Sequence, residues 1–188
     1  MRSNPVMRDI LRTAGLTGLS DRDIPPVFRE VVERGWSVTA SGGRVLTALR
    51  PEILGPYFDR LAEETTSNGR GMTDYDLPAA PHERTPLLVR RCLAYVGACL
   101  RTAQEEFGDA DVRAYVFLSF ADIGIDADAD VDVDVDVDVD VDVDKGLLTS
   151  NVTFCTPLPD VRPYIPALED VQDAAVAEIS VEDCSAWS

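Results

Sequence analysis

The spacing of apolar residues along the chain changes period several times, and each change marks a boundary. Asn4-Pro5 reads as an N-cap with proline at the first helical position, and a helix is expected to run to about Ala14 and stop at Gly15. Its apolar face is Ile10, Leu11 and Ala14. Ser20 and Asp23 are the next start signals. Pro25 and Pro26 suit a first turn, whose amides have no intrahelical acceptor. Val27, Phe28, Val31 and Val32 continue the stripe to a stop at Gly35. Alternation then replaces the helical period. Residues 36–40 and 44–49 flank Ser41-Gly42-Gly43, which predicts a hairpin.

From Pro51 to about Glu64 the pattern predicts a helix, with Ile53, Leu54, Tyr57, Phe58 and Leu61 on one face. Residues 65–84 read as a polar loop. Thr85-Pro86 opens the strongest helix, ending at Gly108, with Leu88, Cys92, Tyr95, Val96, Cys99 and Leu100 as a wide core stripe. Two strands are expected, over Val112–Ile125 and Leu147–Cys155. Prolines at 157, 159, 163 and 166 mark a stiff loop before a last helix near Ala167–Ile179 and a short tail ending in Trp187. The fold class is α+β: helices packed on a small, mainly antiparallel sheet, with an Asp-Val insertion between two strands. Residues 1–64 form a helix-helix-hairpin-helix portion and 85–188 a helix-strand-strand-helix portion, both compatible with one domain.

The insertion dominates the chemistry. Asp126, Asp128, Asp130, Asp132, Asp134, Asp136, Asp138, Asp140, Asp142 and Asp144 alternate with Ala127, Ala129 and seven valines. In a strand all carboxylates would share one face, roughly 6.7 Å apart. Valine burial of roughly 1.5–3 kcal/mol per side chain offsets their repulsion only if an apolar surface covers the valines. A docked strand and a charged extended loop both stay open. A calcium-binding EF-hand loop needs glycine at its sixth position and glutamate at its twelfth, and the tract has neither, so only weak, nonspecific binding of divalent cations is expected. The row of anions suits a basic protein partner, such as a nuclease or toxin that the chain would inhibit.

Charge sharpens this reading. The net charge is −17, from 34 acidic and 17 basic residues. Residues 1–50 nevertheless carry eight arginines against five acids. Two short helices and a hairpin with that excess are a little like a winged helix, which supplies the alternative: a regulator binding nucleic acid through its N-terminal arginines. The excess is small, and nucleic acid is the less favoured partner.

Catalytic signals are sparse. His82 is the only histidine, and no Gly-rich phosphate loop occurs. Asp74 and Asp76 flank Tyr75, which says little in so acidic a chain. Cys92, Cys99, Cys155 and Cys184 lack zinc-ligand spacing and read as buried, reduced thiols, with Cys155 the best placed for a nucleophile. No cofactor is expected. An enzyme of unidentified class would need a pocket around His82 or Cys155. No stretch is long and apolar enough for a bilayer, and the N-terminus lacks the apolar core of a secretory signal, so a cytoplasmic, membrane-free location is expected.

Overall fold

A computed structural model describes residues 1–50, 57–121, 147–159 and 161–187. The first helix forms where its cap predicts, whereas the Ser20 and Asp23 signals cap a short 3-10 turn and the second helix starts only after Pro25. Helix α1 (Pro5–Ala14) starts at Asn4, whose side chain accepts from the Met7 amide. Helix α2 (Pro26–Arg34) follows a short 3-10 turn at Asp21–Asp23. Strands β2 (Trp36–Val38) and β3 (Arg44–Leu46) make the expected hairpin, its turn using Gly42 at φ 82°. Both strands are shorter than the alternation suggests: the turn closed by Gly42 N on Thr39 O ends β2, and Thr47–Leu49 tightens into a 3-10 turn after β3.

The next helix departs from expectation. Ile53 and Leu54 lie outside the described residues. Helix α3 runs from Arg60 to Ser67, with Asp59 as its N-cap, accepting from Ala62 N at 2.7 Å. Phe58 precedes the cap and is 97% exposed, so it has no place on the buried face. That face is polar: Glu63, Glu64, Ser67 and Asn68 are its buried members. The expected polar loop 65–84 therefore contains the end of α3, the short strand β4 (Arg70–Gly71) and the start of helix α4 (Pro81–Phe107). Pro86 sits inside α4 near its exposed start, where its missing amide deprives only the His82 carbonyl of an intrahelical donor. Gly108, in the left-handed region at φ 71°, ends the helix.

Helix α4 is the centre of the molecule. Every residue from Cys92 to Leu100 is buried, and none of the nine is charged. Such a helix needs cover on all sides. Helices α1 and α2 pack on one side, and the sheet on the other. Trp187, at the end of the expected short tail, is buried against Gly97, where the ring lies 3.6 Å from where a Cβ would stand.

The main sheet has the order β1-β7-β5-β6-β4, all antiparallel. Its members beyond β4 are β1 (Arg2–Ser3), β5 (Arg113–Ala121), β6 (Leu147–Cys155) and β7 (Ala174–Ile179). Strand β7 replaces most of the expected last helix; only a 3-10 turn at Leu168–Asp170 and helix α5 (Val181–Cys184) are helical there. Alanine favours helix by a few tenths of a kcal/mol per residue. Here Ala175, Val176, Ala177 and Ile179 are buried in a strand paired to β5 on one side and β1 on the other, and that pairing outweighs propensity. The small side chains also let α1 approach the strand.

Two buried amides hold distant segments together. Asn4 Oδ1 accepts from Met7 and Val176 amides at 3.0 Å each, while its Nδ2 donates to Val171 O at 2.8 Å and Ala174 O at 2.6 Å. Asn68 does the same between β3 and β6: it accepts from Leu46 N at 2.8 Å and donates to Arg44 O and Phe154 O at 3.0 Å each. One turn earlier, Glu64 accepts from Arg44 N, Arg60 Nε and Thr156 N. A buried carboxylate is tolerated there because each partner donates to it.

Candidate functional site

The ten aspartates of the tract, from Asp126 to Asp144, lie outside the described residues. Their attachment does not. Strands β5 and β6 pair antiparallel from Arg113↔Cys155 to Ala121↔Leu147. The 25 residues 122–146 thus leave and re-enter the fold at two directly paired positions. Both strands are central to the main sheet.

The single histidine and the cysteines are not gathered into one site. His82 stands in the exposed first turn of α4, not in a loop, with its side chain 81% exposed and Glu83 3.8 Å away. All four thiols are buried. Burial pushes Cys92 and Cys155 up to about 12 and Cys184 to about 11, and pushes Cys99 up as well. Cys155 does border a cavity of about 330 Å³ with Tyr115, Tyr164, Arg2 and Glu178. Tyr164 caps that face, its ring 5.0 Å from Tyr115 and 6.2 Å from Phe117, both edge-on. Desolvation, with Glu64 and Glu178 nearby, keeps the Cys155 thiol protonated, the opposite of what a nucleophile needs.

Four of the N-terminal arginines are tied to acids at separate places. Arg2 bonds Glu169 and Glu178, Arg12 bonds Asp9, and Arg34 faces Glu30 at 3.7 Å. Arg44 grips Asp109 with both terminal nitrogens, at 2.7 and 2.5 Å, and lies 4.4 Å over the Phe107 ring. Half of the eight arginines of residues 1–50 are thereby neutralised by acids.

One cluster that sequence patterning does not flag is an arginine-lined cleft of about 360 Å³ between the start of α2 and the loop before α4. Helix α4 holds both walls. Arg90 donates to the carbonyls of Gly15, Thr17 and Gly18 and lies 3.7 Å from Asp23. Arg91 binds both oxygens of Asp76 at 2.6 Å and Thr73 O at 3.0 Å. That guanidinium holds the Asp76 carboxyl down to about 2. One turn from the helix start, Arg84 binds Asp74 at 2.5 Å and steadies the same loop. Arg22 and Arg29 complete the cleft from the other wall. Arg29 Nε donates to Ile24 O at 2.9 Å, and among the described residues no carboxylate pairs with either side chain. Pro26, Leu77, Leu87 and Tyr75 add apolar surface, Tyr75 being 86% exposed.

Among the described residues no three His, Cys, Asp or Glu side chains come together as metal ligands would, and no helix is long and apolar enough to cross a membrane. Comparison with protein families, with characterised proteins and with solved structures returns no match.

Proposed function

We propose that the chain is a non-catalytic interaction protein that engages a basic protein partner through the Asp-Val connection, in the manner of an inhibitor or immunity protein. The observation that carries this reading is the pairing of Ala121 with Leu147. A row of ten aspartates attached at two adjacent points of a central hairpin is anchored to a rigid base at both ends. Without those ten the chain's balance of −17 would be −7, so the row supplies most of the attraction for a cationic surface.

The pairing of Arg2, Arg12, Arg34 and Arg44 with acids speaks against the nucleic-acid alternative, which needs unpaired arginines on one face. The protonated Cys155 thiol and the isolated His82 speak against hydrolytic enzymes built on either residue.

Capture of a basic partner from lysate, followed by binding kinetics, tests the proposal. Changing Asp130, Asp134, Asp138 and Asp142 to Asn is expected to slow association at low salt and to leave dissociation nearly unchanged. The control is four amide changes at Glu105, Glu106, Asp170 and Asp173, which are exposed and unpaired among the described residues. Glu169 and Glu178 do not serve, because both bind Arg2. Equal slowing by both quartets would reduce the tract to bulk charge and defeat the proposal.

A further inference from the structure

We propose that the cleft between α2 and the loop before α4 binds a small phosphomonoester, with its phosphate on Arg22 and Arg29 and its apolar body against Leu77 and Leu87. The inference goes beyond the acidic tract and rests on none of its residues.

The cleft is built from fixed and free charges. Arg90 and Arg91 have most of their donors committed to three loop carbonyls, Thr73 O and Asp76. They set the walls and a positive background. Arg22 and Arg29 keep terminal nitrogens with no carboxylate partner among the described residues. Four guanidinium groups against Asp23 and Asp76 leave a local surplus of two positive charges. That balances the dianion of a phosphate monoester, whose second proton leaves near pH 6. Planar guanidinium forks match its oxygens in pairs.

Two observations set the ligand's size and class. About 360 Å³ lies at the lower end of small-molecule sites, which span roughly 300–1,000 Å³. Pro26, Leu77, Leu87 and the outward-facing Tyr75 ring offer an apolar wall that inorganic phosphate would leave uncovered. A polyanion would meet the repulsion of a chain at −17, whereas a single phosphomonoester feels chiefly the local arginines.

Adenosine 5′-monophosphate serves as the probe, with adenosine and inorganic phosphate as partial ligands, in calorimetric titrations of the full chain. The monophosphate is expected to bind saturably, adenosine not measurably, and phosphate at least ~10-fold more weakly than the monophosphate, since burying the apolar body adds on the order of 1–2 kcal/mol. Arg22→Gln/Arg29→Gln, at two exposed positions, should weaken the monophosphate at least ~10-fold, and the corresponding Lys pair by a smaller factor. Arg12→Gln/Arg34→Gln, outside the cleft, should change nothing. Affinity should fall as pH drops through about 6 and the phosphate loses its second charge. The Asn quartet in the tract should leave this binding intact, so failure here and failure of the acidic-row proposal are separate results. Any of these outcomes overturns the inference: no saturation by ~10 mM monophosphate, equal binding of adenosine and its monophosphate, or equal effects of the two arginine pairs. Phosphate binding as tightly as the monophosphate would also overturn it, leaving a general anion hole.

Discussion

Replacing Asn68 by Ala is the sharpest test of what holds the hairpin to the sheet. Its amide, fully buried, bonds backbone groups of both β3 and β6: Leu46 N, Arg44 O and Phe154 O. Truncation orphans all three. Each lost bond is worth about 1 kcal/mol net, and each buried group left unpaired costs about 1–3 kcal/mol, so the sum is at least ~3 kcal/mol. For a chain of this size that lowers the melting temperature by roughly 6–12 °C. Urea unfolding should show the loss as a lower midpoint at unchanged slope. Asn68→Asp is the diagnostic partner. It preserves volume and the acceptor to Leu46, but turns two donors into acceptors facing carbonyls, so at neutral pH it should cost at least as much as Ala. Thr66→Ala, one residue-pair away on the exposed face of α3, should stay within about 0.5 kcal/mol of the parent. If Asn68→Ala behaves like Thr66→Ala, the clamp is not what joins hairpin and sheet.

Deleting Asp126–Asp144 should leave a cooperative melt, because the six residues remaining between Ala121 and Leu147 are enough to close a hairpin; loss of the transition in circular dichroism would make the valines a required core layer. The four thiols, buried and raised by desolvation, should react with a thiol-specific disulfide reagent at neutral pH only after denaturation, and a rapid native phase of even one equivalent would contradict their placement. Arg44 holds the Asp109 carboxyl below its ordinary value, so that pair's contribution is present above about pH 4 and disappears as pH falls through the depressed value. Arg44→Gln should therefore flatten the acid limb of the stability curve, and an unchanged limb would remove the pair from the account. Millimolar calcium should produce no saturable submicromolar site in calorimetry, since the alternating aspartates have neither the turn glycine nor the closing glutamate of a calcium loop among them.

Local signals carried a good part of this fold. The Asn4 cap, the Gly35 and Gly108 stops, the glycine turn of the first hairpin and the strand Leu147–Cys155 all stand where residue pattern puts them. So does the body of the central helix, though it begins at Pro81 and not at Thr85, because nine uncharged residues in a row have few alternatives to burial. These are matters of backbone sterics and periodicity within a few residues. The misread elements depend on partners far along the chain. Ala174–Ile179 is a strand only because β5 and β1 flank it, and intrinsic propensity alone favours helix. Asn68-Gly69 resembles a loop dipeptide until Phe154, 86 residues away, accepts its amide. The arginine cleft joins Arg22 and Arg29 to Arg90 and Arg91, four residues that no spacing rule connects and that only the packing of α2 and the 73–77 loop around α4 brings into one cavity.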